Sequence, residues 1–143
     1  MIKRENKYYP TDALIGIPLA QSVPAGFDFS LRDETKYETI NLNSYLVERP
    51  NSTFLLEVSG DSMLDAGITP GDKVVVDKSL TARDGDVVVA TIDGAFTLKF
   101  FSKDKKGKVA LIAANKQKYK TPILPSESME IVGVVTSTFR KYR

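Results

Sequence analysis

From residue 53 onward the chain is written in short runs rich in β-branched and aromatic residues, and this pattern more than any other limits its fold. The runs are TFLLEV (53–58), DKVVVDK (72–78), GDVVVATI (85–92), AFTLKFF (95–101), KVALIAA (108–114) and IVGVVTSTF (131–139). Each has the length and composition of a strand. Between them lie TPGD, ARDGD, IDGA and SKDKKGK, whose Gly, Pro and Asp residues are turn chemistry. Ile92-Asp93-Gly94-Ala95 predicts a two-residue hairpin on Asp93-Gly94. Six short strands with little helix predict a mainly β fold, an antiparallel sandwich or barrel-like domain. One short helix is expected within 39–48, capped by Asn43 or Ser44 and stopped by Pro50.

The 143 residues suit one domain with a hydrophobic core. Residues 1–30 read differently: Pro10, Gly16, Pro18, Pro24 and Gly26 interrupt them and no periodicity is sustained. They are expected to form a flexible N-terminal arm ahead of a β-rich domain over 31–143. Such an arm is too short for a helix-turn-helix unit, so no direct sequence-specific DNA binding is expected. A net charge of +2 adds no argument for bulk nucleic-acid binding. The SKDKKGK run reads as a solvated hairpin tip. The apolar piece ALIGIPLA (13–20) falls far short of the roughly 20 residues of a membrane span and contains Pro18. Lys3, Arg4 and the small residues of VPA before Gly26 outline a secretion signal, but Tyr8, Tyr9, Pro10 and Asp12 break up its front. A cytoplasmic protein without a membrane association is expected.

There is no cysteine and no histidine. Disulfides, thiol enzymes, Ser-His-Asp triads and the usual zinc sites are thereby excluded, and neither a metal nor a cofactor is expected. A hydrolase built from this chain must use Ser, Thr, Lys, Tyr or carboxylates. The stretch VSGDSMLDAG (58–67) places Ser62 at the end of a strand, between a glycine turn and Met63. Two readings are open. Ser62 or Asp61 can cap a helical turn starting at Met63. Alternatively Ser62 is a nucleophile, and a neutral lysine is then the strongest candidate for its base. In AFTLKFF, strand alternation sets Phe96, Leu98 and Phe100 on one face and Ala95, Thr97, Lys99 and Phe101 on the other. Ala95 and Phe101 are poor solvent-face residues, so Lys99 is expected in a partly buried cleft. Burial disfavours its ammonium form, and Thr97 can hold the amine by a hydrogen bond.

SGDSMLDAGITPGD followed by GAFTLK resembles the self-cleaving domain of the LexA and UmuD family, with Lys99 at the separation from Ser62 that this family shows. VPAGF (23–27) resembles the family's cleavage site, a small residue before glycine. The similarity runs from about Val23 to the C-terminus, and the short arm points to the UmuD branch of SOS mutagenesis proteins. The resemblance implies a LexA- and signal-peptidase-like β-rich fold, Ser62 as nucleophile and Lys99 as general base. It implies a scissile Ala25–Gly26 bond and an oxyanion hole of backbone N–H groups at Ser62 and its neighbour, aimed by the sharp turn at Gly60-Asp61-Ser62, with Asp61 and Met63 as supporting residues. Val23 and Ala25 would face the same way in an extended substrate. Pro24 departs from the pattern: it removes one main-chain donor and pre-sets an extended backbone. The implied partners are a RecA filament on single-stranded DNA, an error-prone UmuC-like Y-family DNA polymerase, and a second copy of the chain in a homodimer. Two other readings remain at this level, a LexA-like transcriptional regulator and a non-catalytic polymerase-interaction module. A signal-peptidase-like enzyme would share the Ser-Lys logic but normally needs a membrane anchor.

Overall fold

The structure is a computed structural model that describes residues 16–19 and 38–143. The arm's expected boundary at residue 30, and the expected cleavage-site residues Val23, Ala25 and Gly26, lie outside the described residues. Two compact units are distinguished. In the first, β1 (Ile17–Leu19) pairs antiparallel with β2 (Glu38–Ile40), Ile17 opposite Ile40.

The second unit, Leu46–Arg143, carries a six-stranded, wholly antiparallel sheet. Its strands are β3 (Thr53–Glu57), β4 (Lys73–Asp77), β5 (Val87–Ile92), β6 (Ala95–Lys103), β7 (Val109–Ile112) and β8 (Met129–Phe139), in the order β3-β4-β8-β5-β6-β7. All six sequence-derived strands are present, and the mainly β expectation holds. The β5–β6 hairpin turns where the sequence puts it. Ile92 pairs with Ala95, and Asp93 and Gly94 have φ of 50° and 79°, as a turn that follows the strand twist requires.

The uninterrupted valines of β4 and β5 are explained by burial on both faces. Successive side chains alternate between faces, and each face has its own core. Val74, Val76 and Val89 pack with Val58, Met63, Ile68 and Ala114, while Val88 and Ala90 pack with Phe101, Leu111 and Val134. Strand β8 adjusts the sheet between its two neighbours. Thr136 is an extra residue against β4 and Val132 one against β5, and such bulges bend and twist a strand locally. Gly133 lies between them, where a Cβ would come within 2.8 Å of Val76 Cγ1.

The short helix runs over Leu42–Leu46. Its cap is Asn41 rather than Asn43 or Ser44: Asn41 Oδ1 accepts the Ser44 N–H at 3.0 Å. The helix starts at Leu42, directly after β2 and earlier than expected, so its first free N–H groups face Asn41.

Candidate active site

The β3–β4 connection is a loop closed at its base, and it carries Ser62. Val58 N–H donates to Asp72 O (2.8 Å) and Gly71 N–H to Val58 O (2.7 Å), continuing the ladder beyond β3. The buried Asp72 carboxylate accepts from Thr69 N–H and from both Nε and Nη2 of Arg140. Those bonds hold its carboxyl well below the usual carboxylate range, Arg140 first among the causes. Inside the loop Met63 is only 1% exposed and inserts into the first core. Its carbonyl accepts from Ala66 and Ile68 N–H. A 3-10 turn, Leu64–Ala66, follows and ends at Gly67 in the left-handed conformation, φ 77°. Met63 therefore acts as the anchor that fixes where Ser62 can sit.

The capping reading of this stretch fails. The residue before the 3-10 turn is Met63, and no side chain caps it. Ser62 and Asp61 have other partners instead: Ser62 Oγ meets Lys99 Nζ and Leu98 O, and the Asp61 carboxylate meets Lys118 and Tyr119.

Strand β6 brings Lys99 to Ser62. Lys99 Nζ is 3.0 Å from Ser62 Oγ, 2.5 Å from Thr97 Oγ1 and 2.9 Å from Leu98 O. Ser62 Oγ also lies 3.2 Å from Leu98 O. Lys99 is 7% exposed, and burial lowers its pKa from the ordinary lysine value of 10.5. No carboxylate pairs with it among the described ion pairs. The expectation of a partly buried lysine with Thr97 alongside is met, and Phe101 is buried beside it on the same face. Leu98 and Phe100 pack on the opposite core. Phe96, expected to join them, is 62% exposed, because it lies beyond the edge of that core and lines a cleft instead. The cleft has a volume of about 320 Å³ and runs past Leu56, Gly60, Ser62, Met63, Phe96 and Leu98.

Asp61 points elsewhere. Its Oδ2 meets Lys118 Nζ at 2.7 Å and its Oδ1 accepts from Tyr119 OH at 2.9 Å, on the surface. Its carbonyl oxygen accepts from Asn115 Nδ2 at 2.9 Å. Asn115, Lys118 and Tyr119 were not legible as site residues. They lie in AANKQKYK after β7, which reads in sequence as an ordinary polar loop, and no spacing rule links them to Ser62. Among the described residues, no group of histidine, cysteine or carboxylates could hold a metal ion, and no helix is long and apolar enough to cross a membrane.

A β-rich domain with a buried lysine against a half-buried loop serine, and no carboxylate pairing with that lysine among the described residues, has the makings of a hydrolase without histidine. Residues 18–136 match the Peptidase S24-like family, and the chain belongs to that family, a group of self-cleaving serine peptidases. It is 40% identical to protein SamA of Salmonella typhimurium over 84% of this chain and 81% of SamA. It is 35% identical to protein ImpA of Escherichia coli over 92% of this chain and 88% of ImpA. It is 36% identical to the LexA repressor of Clostridium novyi over 90% of this chain, but spans only 62% of that repressor's length.

Proposed function

We propose that the chain is a UmuD-like serine endopeptidase that cuts itself between Ala25 and Gly26, with Ser62 as nucleophile and Lys99 as general base. The observation that carries this reading is the 3.0 Å approach of Lys99 Nζ to Ser62 Oγ in a site where burial favours the neutral amine. A neutral amine has two N–H donors and one lone pair. Thr97 Oγ1 and Leu98 O can accept the two donors, which turns the lone pair toward Ser62.

In the proposed reaction Ser62 Oγ attacks the carbonyl carbon of Ala25 while its proton passes to Lys99. The Ala25 oxygen takes up the negative charge and is met by the N–H groups of Ser62 and Met63. Neither N–H donates to a protein acceptor among the described hydrogen bonds. Lys99 then gives the proton to the nitrogen of Gly26 as the peptide bond breaks, leaving an ester of Ser62. Water, deprotonated by Lys99, hydrolyses that ester and regenerates the site. In an extended substrate Val23 and Ala25 would face the same way, giving one cleft two side chains to read.

In this reading a RecA filament on single-stranded DNA triggers cleavage. The shortened chain, as a cytoplasmic homodimer, then serves an error-prone UmuC-like polymerase in the SOS response. The similarity to SamA and ImpA over most of their lengths favours this branch. The similarity to LexA repressors favours a second reading, a transcriptional regulator. Intact-mass spectrometry of the purified chain, with and without a RecA filament, tests the first: a fragment starting at Gly26 is expected, and Ser62→Ala should give none. Any other stable N-terminus removes the site assignment. A salt-dependent operator shift by the uncut chain would favour the regulator instead.

A further inference from the structure

We propose that Asn115 is a positioning residue for Ser62, aiming the Ser62 N–H into the cleft through the peptide that Ser62 shares with Asp61. This rests on the reading of Ser62 as nucleophile and adds a part to it. The Asp61 carbonyl and the Ser62 N–H belong to one peptide unit. That unit is planar and trans, so its oxygen and its hydrogen point in opposite directions. Whatever holds the oxygen therefore sets the line of the N–H.

Asn115 holds the oxygen. Its Nδ2 donates to Asp61 O at 2.9 Å, and the residue is 7% exposed. The same asparagine is fixed in turn. Its side-chain oxygen accepts from Lys118 N–H at 3.3 Å, and its carbonyl accepts from Tyr119 N–H at 2.9 Å. Its amide donor is thus turned toward the Ser62 loop. A bond to the carbonyl oxygen also polarises the peptide and strengthens the N–H as a donor. The remainder of the loop 114–119 grips both flanks of the nucleophile. Tyr119 and Lys118 hold the Asp61 carboxylate. On the far side Asp65 N–H donates to Ala114 O at 2.6 Å, and Lys116 N–H to Asp65 Oδ2 at 2.9 Å. Ser62 and Met63 are thereby suspended between two tied residues, with their own N–H groups left for the substrate. Among the described hydrogen bonds Asn115 meets neither Lys99 nor Ser62 Oγ, so it governs oxyanion stabilisation and not proton transfer.

The test is the rate of spontaneous self-cleavage of the full chain against pH, followed by intact mass, in Asn115→Asp and Asn115→Ala. Asn115→Asp keeps the shape and the acceptor for Lys118 N–H but loses the donor to Asp61 O. Misaiming one oxyanion donor should lower the plateau rate by about 10- to 100-fold. The pH midpoint should stay at the wild-type value, and circular dichroism should report a folded protein at the assay temperature. A folded variant with the wild-type plateau overturns the proposal, as does a shifted midpoint with an unchanged plateau. If the Asn115 variants do not fold, the exposed pair decides. The Lys118→Gln, Tyr119→Phe double variant should cut about 2- to 10-fold more slowly, since misplacement short of losing a donor costs less. A wild-type rate there overturns the proposal. Ser62→Ala separates the two claims. If it still cleaves, the nucleophile assignment has failed. If it is inert while Asn115 variants cleave at full rate, only the positioning role has failed.

Discussion

Asp61 and Ser62 are neighbours in the chain, yet each meets its own lysine, and the two lysines are pushed in opposite directions. Lys118, on the surface, faces the Asp61 carboxylate, which raises its pKa and keeps it an ammonium. Lys99, in the sheet, faces a hydroxyl, a threonine and a carbonyl, none of them charged, and burial lowers its pKa. Nothing in the side chain distinguishes the two. Partner and depth decide that one lysine is held as an ammonium and the other is pushed toward the neutral amine. The comparison also accounts for the acid between them. Turned inward, Asp61 would stabilise the Lys99 ammonium and remove its basicity. Turned outward and tied to Lys118 and Tyr119, it serves the loop's geometry instead.

The comparison is broken most severely at Lys99. Lys99→Ala and Lys99→Arg should each reduce self-cleavage by about 10²- to 10⁴-fold, the usual contribution of general-base catalysis, as read by intact mass. Arginine preserves charge and reach but cannot be deprotonated in a protein. A Lys99→Arg chain that cuts near the wild-type rate at alkaline pH would end the assignment of Lys99. At the other lysine, Lys118→Gln should leave cleavage within a few-fold of wild type and leave the pH midpoint where it was. An exposed ion pair contributes little and is screened by salt.

A third outcome concerns stability. A lysine whose folded pKa lies below its unfolded one binds fewer protons when folded. Folding stability therefore rises with pH from the folded value up to the unfolded value near 10.5. Below that window the burial penalty is fully present. Lys99→Met should raise the melting temperature near neutral pH by a few degrees, on the order of the ~4 °C expected per kcal/mol in a domain of this size. The gain should shrink as pH climbs through the window. A lower melting temperature at neutral pH would mean that the lysine is held as a stabilised ammonium.

The smallest expected effect lies at the acid end. The Asp77 carboxyl is lowered from 3.8 to about 2, Ser79 being the largest cause, with Ser52 and Arg49 adding to it. Its stabilising contribution is whole above pH 3.8 and disappears as pH falls through about 2. Asp77→Asn should therefore flatten acid unfolding in that window and leave cleavage at neutral and alkaline pH unaltered. A matching loss of cleavage would tie this corner of the sheet to the site.

How much of this was legible beforehand differs between the two lysines as well. Lys99 was legible because strand alternation is local: Thr97 and Phe101 on its face argued for burial and are at least partly buried, whereas Ala95, counted with them, is exposed at the start of the strand beside the hairpin turn; the turn chemistry around six apolar runs argued for the sheet. Lys118 was not, because its meaning depends on a contact 57 positions away that no periodicity encodes. The same holds for Asn115, whose buried amide looks in sequence like any loop asparagine. The capping reading of Ser62 failed for a related reason. Local sequence measures how well a serine would cap a turn, but the burial of Met63 in a core assembled from distant strands set the loop's orientation. Phe96 shows the limit of alternation itself: the rule gives the face correctly and cannot say where along the strand the core stops.

The central claim, that Lys99 is the depressed lysine and Lys118 the raised one, is tested most directly by titrating both in one sample. The full chain carrying Ser62→Ala, which the proposed mechanism leaves unable to cut itself, is labelled in its lysine side chains and followed by NMR at the ε-carbon across the alkaline range of the fold. The account predicts that Lys99 loses its proton below 10.5 and before Lys118, which titrates above that value. Lys99 titrating at or above Lys118 would contradict it.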